Sequence, residues 1–295
     1  MISNSTASEN VVLNQTASDL NQIRLIVCDL DGTIVGESNQ IKREVKQAIQ
    51  AAQAKGVQVA IATGRMYQAA LRFHQDVGST LPLMSYQGAY MKHPQTGDIL
   101  QHLTMPSEAA LKLLDYFEQP ELRDLLSVHF YIDDQLYVRE ILPETKLYAE
   151  RSQVEPIPVG DLRRVLDREP TKVLALSNEP AVIDRLLTSL RQQYTPAELY
   201  FTKSVATFFE ATHPQVNKGA AVRYLAEDIL GLRPENVMTI GDNFNDLEMI
   251  QYAGVGIAMG NAPDGVKAVA QWVAPDVEAD GAVAAIERFV LADSI

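Results

Sequence analysis

A chain of 295 residues, 46% hydrophobic and 21% charged, has the composition of a globular protein with a sizeable core, and its length suggests about two domains. Its 38 acidic residues against 25 scattered basic ones leave a formal charge of −13, which speaks against nucleic acid and anionic membrane as partners. No apolar run approaches the ~18 residues of a membrane span, and no charged-then-apolar signal segment opens the chain, so a cytoplasmic location is expected.

Residues 1–21 are rich in Ser, Thr, Asn and Gln without periodicity and are expected to form a loosely ordered, dispensable leader. The Asn-x-Ser/Thr triplets at Asn4 and Asn14 would matter only in a secreted protein. From Ile23 the pattern changes: IRLIVCD predicts a strand, QIKREVKQAIQAAQAKG a helix, VQVAIAT a strand and RMYQAALRFHQDVG a helix. The continuous apolar runs LIVC and VAIA imply strands covered on both faces, as in a parallel sheet between helix layers. Cys28, the one cysteine, excludes an internal disulfide and reads as a small buried residue of the first strand.

Between Tyr86 and His213 the rhythm differs. Hairpin-like segments (AYMKHPQTGDILQHL, SVHFYIDDQLYVRE) alternate with helices such as SEAALKLLDYFEQ and PAVIDRLLTSLRQQY, which predicts antiparallel pairs with helices on one face. The α/β rhythm then returns with NKGAAVRYLAEDILG, NVMTIGD, NDLEMIQYAG, VGIAMG and a last helix, DGAVAAIERFV. The expected architecture is a discontinuous α/β core with a Rossmann-like parallel sheet, residues 22–86 plus 213–295, carrying an inserted α+β cap over 87–212.

The stretch VCDLDGT closes the first strand with Asp29 and Asp31, two carboxylates that are costly to leave unpaired in an apolar interior. The carboxyl ends of parallel strands form the rim where ligands bind. Asp29, Thr63 and Asp242 end three of the apolar runs there, and Lys218 opens a helix that could reach the same rim. Singly, each has a bland reading: Asp29 and Asp31 as turn formers, Thr63 and Asn245 as caps, Asp246 as a first-turn acid, Lys218 as a solvated lysine. Capping does not explain carboxylates converging from two strand ends without a counter-charge. A bound cation supplies one, and hard oxygen ligands favour Mg²⁺. The five histidines, at 74, 93, 102, 129 and 213, are dispersed without zinc spacing.

Asp29-Leu30-Asp31-Gly32-Thr33, the threonine of ATGR, Lys218 and GDNFND in that order, with VGIAMGNA following, resemble the four motifs of the haloacid dehalogenase-like superfamily. Within it the chain is similar to the Cof-type phosphatases, whose large α/β cap lies between the second and third motifs. The resemblance runs from about Ile23 to the C-terminus. It implies that Asp29 attacks phosphorus and forms an aspartyl phosphate, and that Asp31 serves as acid and then base. It also implies Mg²⁺ bound by Asp29, Asp242 and the main-chain carbonyl of Asp31. Thr63, Lys218 and Asn245 would hold the phosphate, and Asp246 would orient Lys218 or a metal-bound water.

Where such proteins usually carry Asn-Gly-Ala after the third core strand, this chain has Gln87-Gly88-Ala89, a departure at a candidate substrate contact that includes Gln87 and Gly88. Arg65 is open between a substrate contact and a surface role. The implied substrate is a small phosphorylated metabolite, such as a sugar phosphate, flavin mononucleotide or pyridoxal phosphate. Alternatives are a phosphohexomutase of the phosphomannomutase kind, a sucrose-phosphate phosphatase, and a metabolite-binding sensor without turnover. A signalling receiver domain is too short to account for the second domain, and a dehalogenase would leave Asp31 without a duty. The cap is expected to close over the crevice about hinges near Tyr86 and His213.

Overall fold

The computed structural model describes residues 22–292, so the expected leader and its two Asn triplets lie outside the described residues. The chain enters at β1 (Leu25–Cys28), followed by α1 (Arg43–Ala54), β2 (Gln58–Ile61) and α2 (Tyr67–Asp76). All four residues of β1 are fully buried, as a strand covered on both faces requires. In α1, Val45, Ala48, Ile49 and Ala52 recur at helical spacing and bury one stripe against the sheet. Each large aliphatic side chain so buried contributes roughly 1.5–3 kcal/mol. Cys28 is buried among them, and burial, then the neighbouring Asp29 charge, pushes its thiol up to about 12.

β3 (Leu83–Ser85), β4 (Tyr90–Lys92) and β5 (Ile99–His102) come next. A parallel bridge joins Ala62 to Met84, and the Thr63 N–H donates to the Met84 carbonyl at 2.9 Å, so β3 runs beside the end of β2. The antiparallel hairpin β4–β5 pairs with β3. The sequence pattern places this hairpin with the cap; the structure pairs it with β3, beside the core edge. Its alternation implies antiparallel pairing but not the sheet to which it is added.

The cap proper contains α3 (Ser107–Phe117), β6 (Ser127–Ile132), β7 (Gln135–Val138), α4 (Pro143–Ser152), β8 (Pro156–Pro158), β9 (Lys172–Leu176), α5 (Pro180–Gln193), β10 (Tyr200–Thr202) and β11 (Phe208–Thr212). Its six strands are ordered β10-β11-β9-β6-β7-β8, antiparallel except for β7–β8. Side chains alternate between the faces. Phe130, Ile132, Val173, Ala175, Phe209 and Ala211 pack with α3 and α5, whereas Tyr131, Leu174 and Leu176 join the cluster of the α/β core.

The chain returns through α6 (Lys218–Arg223), β12 (Val237–Gly241), α7 (Leu247–Tyr252), β13 (Val255–Ala258), α8 (Asp264–Lys267), β14 (Trp272–Val273) and α9 (Gly281–Ile286). The core sheet is ordered β14-β13-β12-β1-β2, all parallel, as the apolar runs imply. The expected long helices at 217–231 and 280–290 are shorter, because α6 and α9 each loosen into a π-type turn. Among the described residues no helix is long and apolar enough to cross a membrane.

Candidate active site

Because β1, β2 and β12 are parallel, the residues following them emerge on one rim. Asp29 is held there by its N–H bond to the Ile240 carbonyl, 2.9 Å. Lys218, the first residue of α6, is fully buried, and its Nζ lies 2.5 Å from Asp29 Oδ1 and 2.5 Å from Asp246 Oδ1. The other Asp246 oxygen accepts the N–H groups of Asp242 (2.8 Å) and Asn243 (3.1 Å), closing the turn after β12. Carboxylate oxygens of Asp29, Asp242 and Asp246 all lie within 4.8 Å of one another. The convergence expected from strand direction is present.

Three acids here face one lysine. Burial, and then the Asp246 charge, pushes Asp29 up to about 7 despite Lys218. Burial, followed by the charges of Asp29 and Asp246, pushes Asp242 up to about 8. Burial opposes the charge on Lys218, but Asp246 and Asp29 outweigh it and hold the ammonium above its usual range. An all-oxygen donor set short of positive charge suits a hard divalent cation. Lys218 and two main-chain amides already occupy both Asp246 oxygens, which leaves Asp29 and Asp242 as the carboxylates suited to that ion.

Gly32 lets the two loops meet. Its φ is +80°, and a Cβ there would stand 2.1 Å from Asp242 Oδ2. Asn261 Nδ2 ties the pair, donating to the Gly32 carbonyl (2.9 Å) and to Asp242 Oδ2 (3.1 Å). Asp31 follows the turn, not the strand alternation, and is gripped by Arg65: Nε to Oδ2 at 2.7 Å and Nη2 to Oδ1 at 2.6 Å. Arg65 Nη2 also donates to Asn39 Oδ1 at 2.8 Å, and Arg151 of α4 approaches Asp31 Oδ1 to 3.8 Å. Burial would raise Asp31, but the hydrogen bonds and charge of Arg65, then the charge of Arg151, hold it below the usual carboxylate range. Arg65, only 9% exposed at its side chain, is committed to Asp31 rather than to the surface.

Thr63 is buried, and its Oγ1 accepts the Arg65 N–H at 3.1 Å. Gln87, buried at φ +61°, donates its N–H to the Thr63 carbonyl (2.8 Å), and its Oε1 accepts Asn245 Nδ2 (3.1 Å). Asn245 Oδ1 is buried without a partner. Gly88 packs against α6: at φ +92° its Cβ would stand 2.5 Å from that of Ala221. Gln87 and Gly88, expected as substrate contacts, are thus engaged within the protein. The five histidines serve elsewhere; His129, for example, bonds Thr145 Oγ1 at 3.0 Å inside the cap, and burial, then Lys172, lowers it to about 3.

Sequence reasoning did not single out Asn39, Arg151 or Asn261. Asn261 lay within the VGIAMGNA segment, a usable signal; Asn39 and Arg151 carry none that spacing reveals.

The family model for haloacid dehalogenase-like hydrolases matches residues 26–286. A 5-amino-6-(5-phospho-D-ribitylamino)uracil phosphatase of Bacillus subtilis, YcsE, is 31% identical over 270 residues, covering 91% of this chain and 96% of its own. The pyridoxal phosphate phosphatase YbhA of Escherichia coli is 28% identical, with 87% and 95% covered. The crystal structure of a haloacid dehalogenase-like hydrolase from Bacteroides thetaiotaomicron, 23% identical, shares the fold with a TM-score of 0.79 over 90% of this chain and 99% of that one. With strand ends, turn and buried lysine arranged as described, the chain belongs to the haloacid dehalogenase-like hydrolases and, within them, to the Cof-type phosphatases.

Proposed function

We propose that the protein hydrolyses a small phosphorylated metabolite of the sugar phosphate, flavin mononucleotide or pyridoxal phosphate class, through an aspartyl phosphate on Asp29. The observation that carries this reading is the buried Asp29 beside Lys218 and Asp242 at the strand ends. The phosphatases of B. subtilis and E. coli named above support the substrate class. The single, free Cys28 is compatible with the reducing cytoplasm expected from sequence.

An Asp29 oxygen attacks phosphorus as the bond to the leaving oxygen breaks, and Asp31 gives that oxygen its proton. Asp31 then takes a proton from water, which attacks phosphorus, releases inorganic phosphate and restores the Asp29 carboxylate. Arg65 and Arg151 favour ionised Asp31, the form needed in this second half; for the first half the Arg65 fork must loosen as substrate enters. Thr63, Lys218 and Asn245 hold phosphate oxygens, and Asp246 orients Lys218. Mg²⁺ held by Asp29, Asp242 and the main-chain carbonyl of Asp31 would supply the positive charge that offsets repulsion between carboxylate and phosphate.

A phosphate-release screen over a phosphometabolite panel, with and without Mg²⁺, tests the reading. Mg²⁺-dependent release of free phosphate is expected. Isomerisation of a hexose phosphate without release would favour the mutase, and binding without turnover the sensor.

Asp31→Asn is expected to slow alkyl phosphates by about 100-fold or more and an aryl phosphate, whose leaving group needs less protonation, far less. Equal losses for good and poor leaving groups, measured as kcat/KM, would argue against the acid role.

The raised carboxylates also set a pH dependence. In the metal-free fold burial and mutual repulsion keep the Asp29 and Asp242 pair protonated well above the usual carboxylate value of 3.8, toward about 7 to about 8. The native state therefore binds more protons across that window, and its stability falls as pH rises through it. Mg²⁺ takes the place of those protons, so the Tm increase it causes should be larger at pH 8 than at pH 5.5. Calorimetry showing the same increase at both pH values would contradict the assigned ligands.

A further inference from the structure

The loop carrying Thr63 and Arg65 runs directly into α2, and α2 begins without a cap of its own. Met66 stands where Ser, Thr, Asp or Asn would satisfy the first N–H groups, and its side chain makes no such bond. Those groups are met from the cap. Asp134, at the tip of the β6–β7 hairpin, accepts the N–H of Tyr67 on Oδ1 (3.0 Å) and that of Gln68 on Oδ2 (3.0 Å), and its carbonyl takes Gln68 Nε2 (2.7 Å).

Asp134 Oδ1 also accepts the hydroxyl of Tyr86 at 2.7 Å. Tyr86 and Gln87 in turn donate their N–H groups to the carbonyls of Arg65 (2.9 Å) and Thr63 (2.8 Å). A second cap group meets the same loop: Lys172 Nζ, paired with Glu210 at 3.0 Å, donates to the Gly64 carbonyl at 2.9 Å. Main-chain atoms from Gly64 to Gln68 are therefore held partly by side chains of the cap.

We propose that Asp134 is a positioning residue of the phosphatase, completing the start of α2 from the cap and, through α2 and Tyr86, fixing the Thr63–Arg65 loop for phosphate transfer. This rests on the phosphatase reading above. Asp134→Ala should lower kcat for p-nitrophenyl phosphate with Mg²⁺ about tenfold, with a smaller change in KM, because the loop with Thr63 is misplaced for transfer while Lys218 and Asn245, which also bind phosphate, stay in place.

Amide hydrogen exchange at Tyr67 and Gln68 should quicken by about tenfold or more in the same variant. Asp134→Asn keeps one acceptor oxygen, enough for the Tyr67 N–H and the Tyr86 hydroxyl but not for the Gln68 N–H, so it should recover much of the kcat loss and the slow exchange at Tyr67 while exchange at Gln68 stays fast. A kcat for Asp134→Ala within twofold of wild type, or unchanged exchange at the two amides, would overturn the proposal, as would an Asn variant as impaired in kcat as the Ala variant. Should the wild type release phosphate from no ester, the phosphatase reading itself fails, and exchange at Tyr67 and Gln68 still decides whether the cap completes α2.

Discussion

Asp29→Asn should abolish turnover, by about 10⁴-fold or more, while the protein stays folded. The amide nearly matches the carboxylate in shape but cannot attack phosphorus or be regenerated by hydrolysis of an acyl phosphate. The fold has little reason to fail: Lys218 keeps Asp246 at 2.5 Å, and the Asp29 N–H bond to Ile240 is main-chain. Because burial and Asp246 disfavour the Asp29 charge, the neutral variant without metal should match or exceed the wild-type Tm at pH 8. Phosphate release above about a hundredth of wild type would contradict the nucleophile assignment.

Lys218→Met should be costly in a different way. The substitution approximately preserves volume but strands Asp29 and Asp246, both buried, without the ammonium that lies 2.5 Å from each. Removing one member of a buried charged pair costs about 3–5 kcal/mol, and urea unfolding of the metal-free protein should show a loss of that order. Adding Asp246→Asn to the same chain removes one stranded charge and should recover part of it. A loss below about 1 kcal/mol for Lys218→Met would mean that the lysine is not the buried counter-charge described here. Turnover should fall with it, since Lys218 is assigned to the phosphate oxygens.

The rim of the site was legible because apolar runs ending in Asp or Thr fix both strand identity and strand direction. Asp29, Thr63 and Asp242 had to emerge together once β1, β2 and β12 were parallel. What surrounds Asp31 was not legible. Its grip by Arg65 depends on the turn at Gly32, and Arg151 belongs to a helix, PETKLYAERS, whose buried positions are Thr145, Ala149 and Ser152, too small and polar to give an apolar period. The hairpin β4–β5 could be paired with itself by alternation, but not assigned to β3. In FFEAT, Glu210 is a charge inside an apolar strand; its partner Lys172 is remote in sequence and meets it only through the neighbouring pairing of β9 and β11.

The most direct test is chemical trapping. Enzyme turning over a phosphate ester with Mg²⁺ is quenched in acid, reduced with borohydride and digested, and the peptide spanning residue 29 is examined by mass spectrometry. An aspartyl phosphate would appear as homoserine at position 29, absent when substrate is omitted. Reduction at a different carboxylate, or none at all while the leaving alcohol is released in a pre-steady-state burst, would contradict attack by Asp29.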